Sequence, residues 1–137
     1  MFKLLNNKEG EGYIDTVVTV LASMMVIVLA LNVFSFLTIK QDIDYFAKEM
    51  LYAATTSGST LDEITLRYTN LCEEVGFNPD YTFNRTDYYN VSTGKVQLGD
   101  TVVVTITYET YIRGLGVFKI PITIKACHSG LSQKYWK

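Results

Sequence analysis

The chain divides by its hydrophobic pattern into three regions. The segment Thr16 to Ile39 reads TVVTVLASMMVIVLALNVFSFLTI, 24 residues without a single charge. As a helix rising 1.5 Å per residue it covers about 36 Å, against about 30 Å for the hydrocarbon core of a bilayer. A buried core helix is normally shorter and keeps a polar face, whereas this run is apolar all round. A secretory signal has an apolar region of only about 7–15 residues before a small-residue cleavage site. The pattern predicts a membrane span.

Beyond the span the pattern becomes amphipathic. Ile39, Ile43, Phe46, Met50 and Ala54 recur at helical spacing, interleaved with Lys40, Asp42, Asp44, Lys48 and Glu49. One helix from about Asp15 to Thr56 is expected, its first half in lipid and its second half covering something outside. Ser57-Gly58-Ser59 ends it. Thr60-Leu61-Asp62-Glu63 then matches a capping box, with Thr60 as N-cap and Glu63 reaching back. Leu61, Ile64, Tyr68, Leu71 and Val75 continue at helical spacing to a glycine stop at Gly76, predicting a second helix of about 15 residues.

After Pro79 the period changes to two. Tyr81 and Phe83 mark a short strand, and Val96 to Leu98 another between the turn signals Gly94 and Gly99-Asp100. From Thr101 to Ile112, Val102, Val104, Ile106, Tyr108 and Ile112 share a face opposite Thr105, Thr107, Glu109 and Tyr111. Arg113-Gly114-Leu115-Gly116 turns the chain. Val117 to Cys127 returns with Phe118, Ile120, Ile122, Ile124 and Ala126 on one face, which makes a β-hairpin. Pro121 lacks a ladder donor, so either the returning strand is an edge or that nitrogen faces outward. The expected fold is α+β: a long N-terminal helix, transmembrane then amphipathic, a second short helix, and a small antiparallel sheet of three or four strands packed on the helix. By residues this gives a cytoplasmic N-terminal segment or leader over 1–15, the span over 16–39, the amphipathic extension and break over 40–59, and an extracytoplasmic head over 60–137.

Charge changes little in this picture. The 12 basic and 14 acidic residues leave a net charge of −2, which gives no electrostatic case for nucleic acid. Lys3 and Lys8 before the span balance Lys40 and Lys48 after it, so the positive-inside rule is silent. A short N-terminal side and a folded C-terminal side favour the N-terminus inside and the head outside. Within the span, Asn32 and the small-xxx-small pair Thr19 and Ser23 are candidates for helix–helix association, at about 1 kcal/mol or less per hydrogen bond. Asn32 bonding locally is the plainer alternative.

Catalytic and cofactor signatures are missing from the sequence. There is one histidine, with no Gly-x-Ser-x-Gly, phosphate loop or His-Glu-x-x-His, so no enzyme activity, cofactor or small-molecule substrate is expected. Cys72 and Cys127 lack metal-ligand spacing. In an extracytoplasmic head they either stay independent thiols or pair, closing a loop of about 55 residues worth roughly 4 kcal/mol. Among ten tyrosines, Tyr81, Tyr88, Tyr89, Tyr108 and Tyr111 gather in the strand region, either as sheet packing or as an aromatic contact face.

The junction before the span reads Lys8-Glu9-Gly10-Glu11-Gly12-Tyr13-Ile14-Asp15. A glycine five residues ahead of an acid, just before a long apolar helix that continues into a head, resembles the processing site of type IV pilin-like precursors. The whole layout resembles TadE-like pseudopilins. The resemblance implies cleavage after Gly10, Glu11 as the new N-terminus, and Asp15 as the acid that meets the amine of a neighbouring subunit. Asp15 stands where that family usually has glutamate, and Glu11 is an unusual first residue. On this resemblance the protein is a non-enzymatic, single-pass subunit of a surface pilus, secretion or conjugation assembly, with the membrane and other pilin-like subunits as partners. The alternative is an uncleaved signal anchor, with Asp15 capping the span and an aromatic sheet face acting as an extracellular binding module.

Overall fold

The computed structural model describes residues 8–114 and 118–137. The start of the expected leader (residues 1–7) and Leu115-Gly116 of the expected turn lie outside them. Helix α1 runs without a break from Lys8 to Ser57, longer at its start than the expected Asp15. Asp15 therefore lies two turns inside the helix rather than at its cap. The helix stops at Gly58, which takes a left-handed φ of +65°.

Helix α2 spans Asp62–Val75 and ends on Gly76, at φ +76°, whose N–H bonds to the carbonyl of Cys72 at 3.0 Å. Its start corrects the capping-box expectation. Leu61 occupies the N-cap position and no side chain caps the helix. The Thr60 hydroxyl is instead buried 3.4 Å from the Gly94 carbonyl and from the Tyr88 hydroxyl. A hydroxyl that satisfies a distant loop is no longer free to hold its own helix.

The sheet has three antiparallel strands in the order β1 (Asp80–Thr82), β2 (Thr101–Gly114), β3 (Phe118–Leu131). The β2–β3 ladder pairs Val104 with His128, Ile106 with Ala126 and Tyr108 with Ile124. β1 meets only Thr105–Thr107 of β2. Pro121 sits on the edge strand, where its missing donor does no harm. The fourth strand expected at Val96–Leu98 does not form. A 3₁₀ turn at Val91–Thr93 leads into irregular chain. Val96 is nevertheless fully buried, and its N–H donates to the Gly58 carbonyl at 2.9 Å. Its backbone ties down the end of α1 instead of joining a ladder.

The core lies between α1 and the sheet. Ile43, Phe46, Ala47, Met50 and Ala54 of α1 are fully buried against Val102, Val104 and Ile106 of β2, Ile124 of β3, and Ile64 and Leu71 of α2. Burying side chains of this size contributes about 1.5–3 kcal/mol each relative to exposure. The helix thus passes from lipid-like exposure to core within a few turns.

Candidate membrane and assembly surface

The N-terminal half of α1 shows what a membrane anchor needs. The helix is long and apolar enough to cross a bilayer, and none of its most apolar window is buried inside the protein. Val18, Leu21, Met24, Val26 and Phe34 stand more than half exposed. In water that surface would be a severe liability; in lipid it is the solvent-matched face.

The polar groups of this segment turn inward onto their own helix. Thr16, Thr19 and Ser23 donate to the carbonyls of Gly12, Asp15 and Thr19 at 2.8, 2.8 and 2.7 Å. Asn32 donates to the Val28 carbonyl at 2.8 Å, so its amide has the local bond expected of the plainer reading. Each hydroxyl spends its donor within one turn, which lowers the cost of carrying it into hydrocarbon. Thr19 and Ser23 remain exposed on one face, small enough for another helix to approach closely. Asp15 is exposed on the same helix. Gly10 and Glu11 lie in its first turn.

Polar side-chain contacts tie the helix to the rest of the head. Asp44 accepts from Lys48 Nζ at 2.6 Å, and its other oxygen lies 2.6 Å from His128 Nε2 on β3. The first of these contacts, and then the second, keeps the Asp44 carboxyl below its ordinary range. A folded-state value below the unfolded one stabilises the fold above about pH 4, where the unfolded carboxylate is ionised, and the gain disappears as acid protonates the folded group. Asp44 is nearly half exposed, so the effect is small. Urea midpoints of the wild type and Asp44→Asn are expected to differ at pH 7 and converge near pH 2.5; parallel curves would remove the pair from the account.

Arg67 on α2 bonds Glu49 of α1 at 2.7 Å and lies 3.5 Å from Glu74. The Glu49 contact raises its already high pKa. Arg67 and Glu49 line an open cleft of about 600 Å³ with Tyr52, Glu63, Lys134 and Trp136, at the end of the head far from the anchor.

The aromatic residues mostly pack inward. Tyr68 meets Phe46 edge-on at 5.6 Å and Tyr81 at 4.9 Å, and Phe77 meets Tyr108 at 4.4 Å. Burial first, then the neighbouring Cys72, pushes the Tyr68 phenol up to about 12. Of the five strand-region tyrosines Tyr81, Tyr88 and Tyr108 are half-buried, whereas Tyr89 and Tyr111 are exposed. The two cysteines are both free. Cys127 is exposed on the sheet face turned from the core, beside Thr105 at 3.5 Å, while half-buried Cys72 packs against the core. Strand alternation gives odd-numbered β3 positions to the outer face, and the two thiols stand as independent groups, one of the two alternatives the sequence left open.

Sequence reasoning missed the Asp44–His128 link. The signal was present: His128 shares the parity of Ile124 and Ala126 and so had to face α1. The partner on α1 was not readable, because the phase of a helix against a sheet depends on packing.

Fold and surface together define an α+β domain on one long helix whose free end is compatible with a single-pass membrane anchor. The chain belongs to the family described as "Domain of unknown function (DUF4320)", whose sequence model matches residues 20–137. Neither the curated proteins nor the solved structures contain a significant match.

Proposed function

We propose that the protein is a non-enzymatic, pilin-like subunit of the TadE-like kind, held by one span with its N-terminus inside and its head outside, and built into a surface pilus, secretion or conjugation assembly. The observation that carries this reading is the unbroken 50-residue α1, bare and apolar at one end and core-forming at the other. Such a helix transmits the position of the head rigidly to the membrane. Side-by-side packing of many copies would bury the exposed apolar faces. A carboxylate at the lipid edge is costly unless paired, so Asp15 gains most from a neighbour's amine.

Three measurements test the reading. Mass spectrometry of the membrane-extracted protein should find Glu11 at the N-terminus. Asp15→Ala should insert normally yet lose most cross-linked multimers; undiminished multimers would exclude the role. Topology is read from Cys127, whose exposed thiol should react with an impermeant maleimide added to intact cells, whereas Cys127→Ser should not. Protection of Cys127 until the cells are broken would place the head inside.

A second reading is a monomeric signal-anchored binding module. It draws on the 600 Å³ cleft at Arg67 and Trp136 rather than on an aromatic face, and an intact N-terminal methionine would favour it.

A further inference from the structure

The β2–β3 hairpin overlaps the apolar end of α1. At one end, Gly130 lies close to Leu51 and Thr55. At the other, Thr110, Tyr111 and Ile112 enclose a small cavity with Asn32, Ser35, Phe36 and Ile39. Val28, Asn32, Phe36 and Ile39 form the half-buried stripe on a segment otherwise exposed from Gly12 to Gln41. The ladder continues three pairs beyond Tyr111↔Pro121, to Gly114↔Phe118. At about 3.3 Å per residue that adds roughly 10 Å toward the N-terminus of α1.

This overlap conflicts with hydrocarbon extending to Ile39. β1 pairs only as far as Thr107 of β2, and no described strand pairs the outer edge of β3. From Tyr108 onward the hairpin is a two-stranded ribbon with open edges. Unpaired backbone groups cost several kcal/mol each in hydrocarbon, which excludes such a ribbon from the bilayer core. Its surface is nevertheless unsuited to bulk water alone: Tyr111 and Ile120 are 60% and 58% exposed, beside exposed Lys119 and Pro121. Aromatic and aliphatic anchors with a lysine among them suit the headgroup layer.

We propose that the distal end of the β2–β3 hairpin is a lipid-contact element, seated in the headgroup layer of the bilayer that holds α1, with Tyr111 and Ile120 as its anchors. The inference rests on the membrane reading of α1. It moves the outer edge of the hydrocarbon from Ile39 to the N-terminal side of Asn32, past the last pair of the ladder. With two contact points, the helix and the hairpin, the head is fixed in tilt and rotation on the membrane.

The full chain in vesicles of brominated phosphatidylcholine gives the test. Trp136 lies at the far end of α1 beside Gly58, and its emission in the wild type serves as the unquenched baseline. Leu21→Trp reports the span; Tyr111→Trp and Ile120→Trp, both at exposed positions, report the hairpin. Interfacial side chains sit about 5–10 Å into the headgroup and acyl boundary, so the hairpin probes should lose about half their added emission to bromine near the head of the acyl chain and much less to bromine near its end. Leu21→Trp should show the reverse. Quenching of Leu21→Trp without either hairpin probe overturns the hairpin contact and leaves the span intact. A blue-shifted but unquenched hairpin probe overturns it too, since protein would then cover the tip. An unquenched Leu21→Trp overturns the span and the contact together.

Discussion

Phe46→Ala is expected to lower the melting temperature of the head by about 15 °C or more. Phe46 is fully buried at the centre of the α1–sheet contact and meets Tyr68 edge-on. Removing a buried phenylalanine costs about 3–5 kcal/mol, from lost transfer energy and the cavity left behind. For a domain of this size each kcal/mol moves the midpoint by roughly 4–8 °C. Alanine is a better helix former than phenylalanine, so α1 itself gains and the loss reads packing alone. The measurement is thermal unfolding of the full chain in detergent, followed by Trp136 emission. Phe46→Leu should keep most of the stability. An unshifted Phe46→Ala would mean that the helix does not complete the core of the sheet.

Gly58→Ala is expected to destabilise the head by about 2–3 kcal/mol and to free the C-terminal tail, because a left-handed backbone and a steric clash act together there. At φ +65° an L side chain is strained, and an added Cβ would stand 2.4 Å from Lys134 Cβ and 3.0 Å from Trp136 Nε1. Cβ of Lys134 is not the movable end of a flexible chain. The Gly58 carbonyl also accepts from Trp136 Nε1 at 3.1 Å and from the Val96 N–H at 2.9 Å. Gln133 N–H reaches the Thr55 carbonyl at 2.9 Å. One glycine therefore joins the end of α1, the irregular 90s loop and the tail. The expected readout is a red shift of Trp136 emission together with a lower urea midpoint. A stable variant with unchanged emission would show that the tail does not depend on this junction. Gly76→Ala is the useful contrast: it shares the left-handed φ but has open space around it, so only the conformational part of the penalty remains.

Both variants act where helix and sheet meet, and the sequence disclosed the two sides of that meeting unequally. The stripe Ile39, Ile43, Phe46, Met50 and Ala54 was legible because a helix repeats every 3.6 residues, and four of its five members are fully buried. The alternation of β2 was legible for the same kind of reason, as was the stop at Gly76. Thr60 misled because a capping box is a local pattern, and a hydroxyl reachable by a loop about thirty residues away chooses between partners on tertiary grounds. Val96 misled because burial and strand formation are separate requirements. Cys127 could have been placed on the outer face by parity alone.

By itself the sequence determined an apolar α1 end long enough to span a bilayer, an amphipathic continuation, and a hairpin with one core face. Those properties follow from repeat period and side-chain polarity, which are local. Only the tertiary structure decided that Asp44 meets His128, that Tyr68, Tyr81 and Tyr108 turn toward the core, and that the hairpin descends along α1 to Asn32. Each of these depends on the phase and axial offset of a helix against a sheet, and that offset is set by how side chains from distant parts of the chain fill one shared volume.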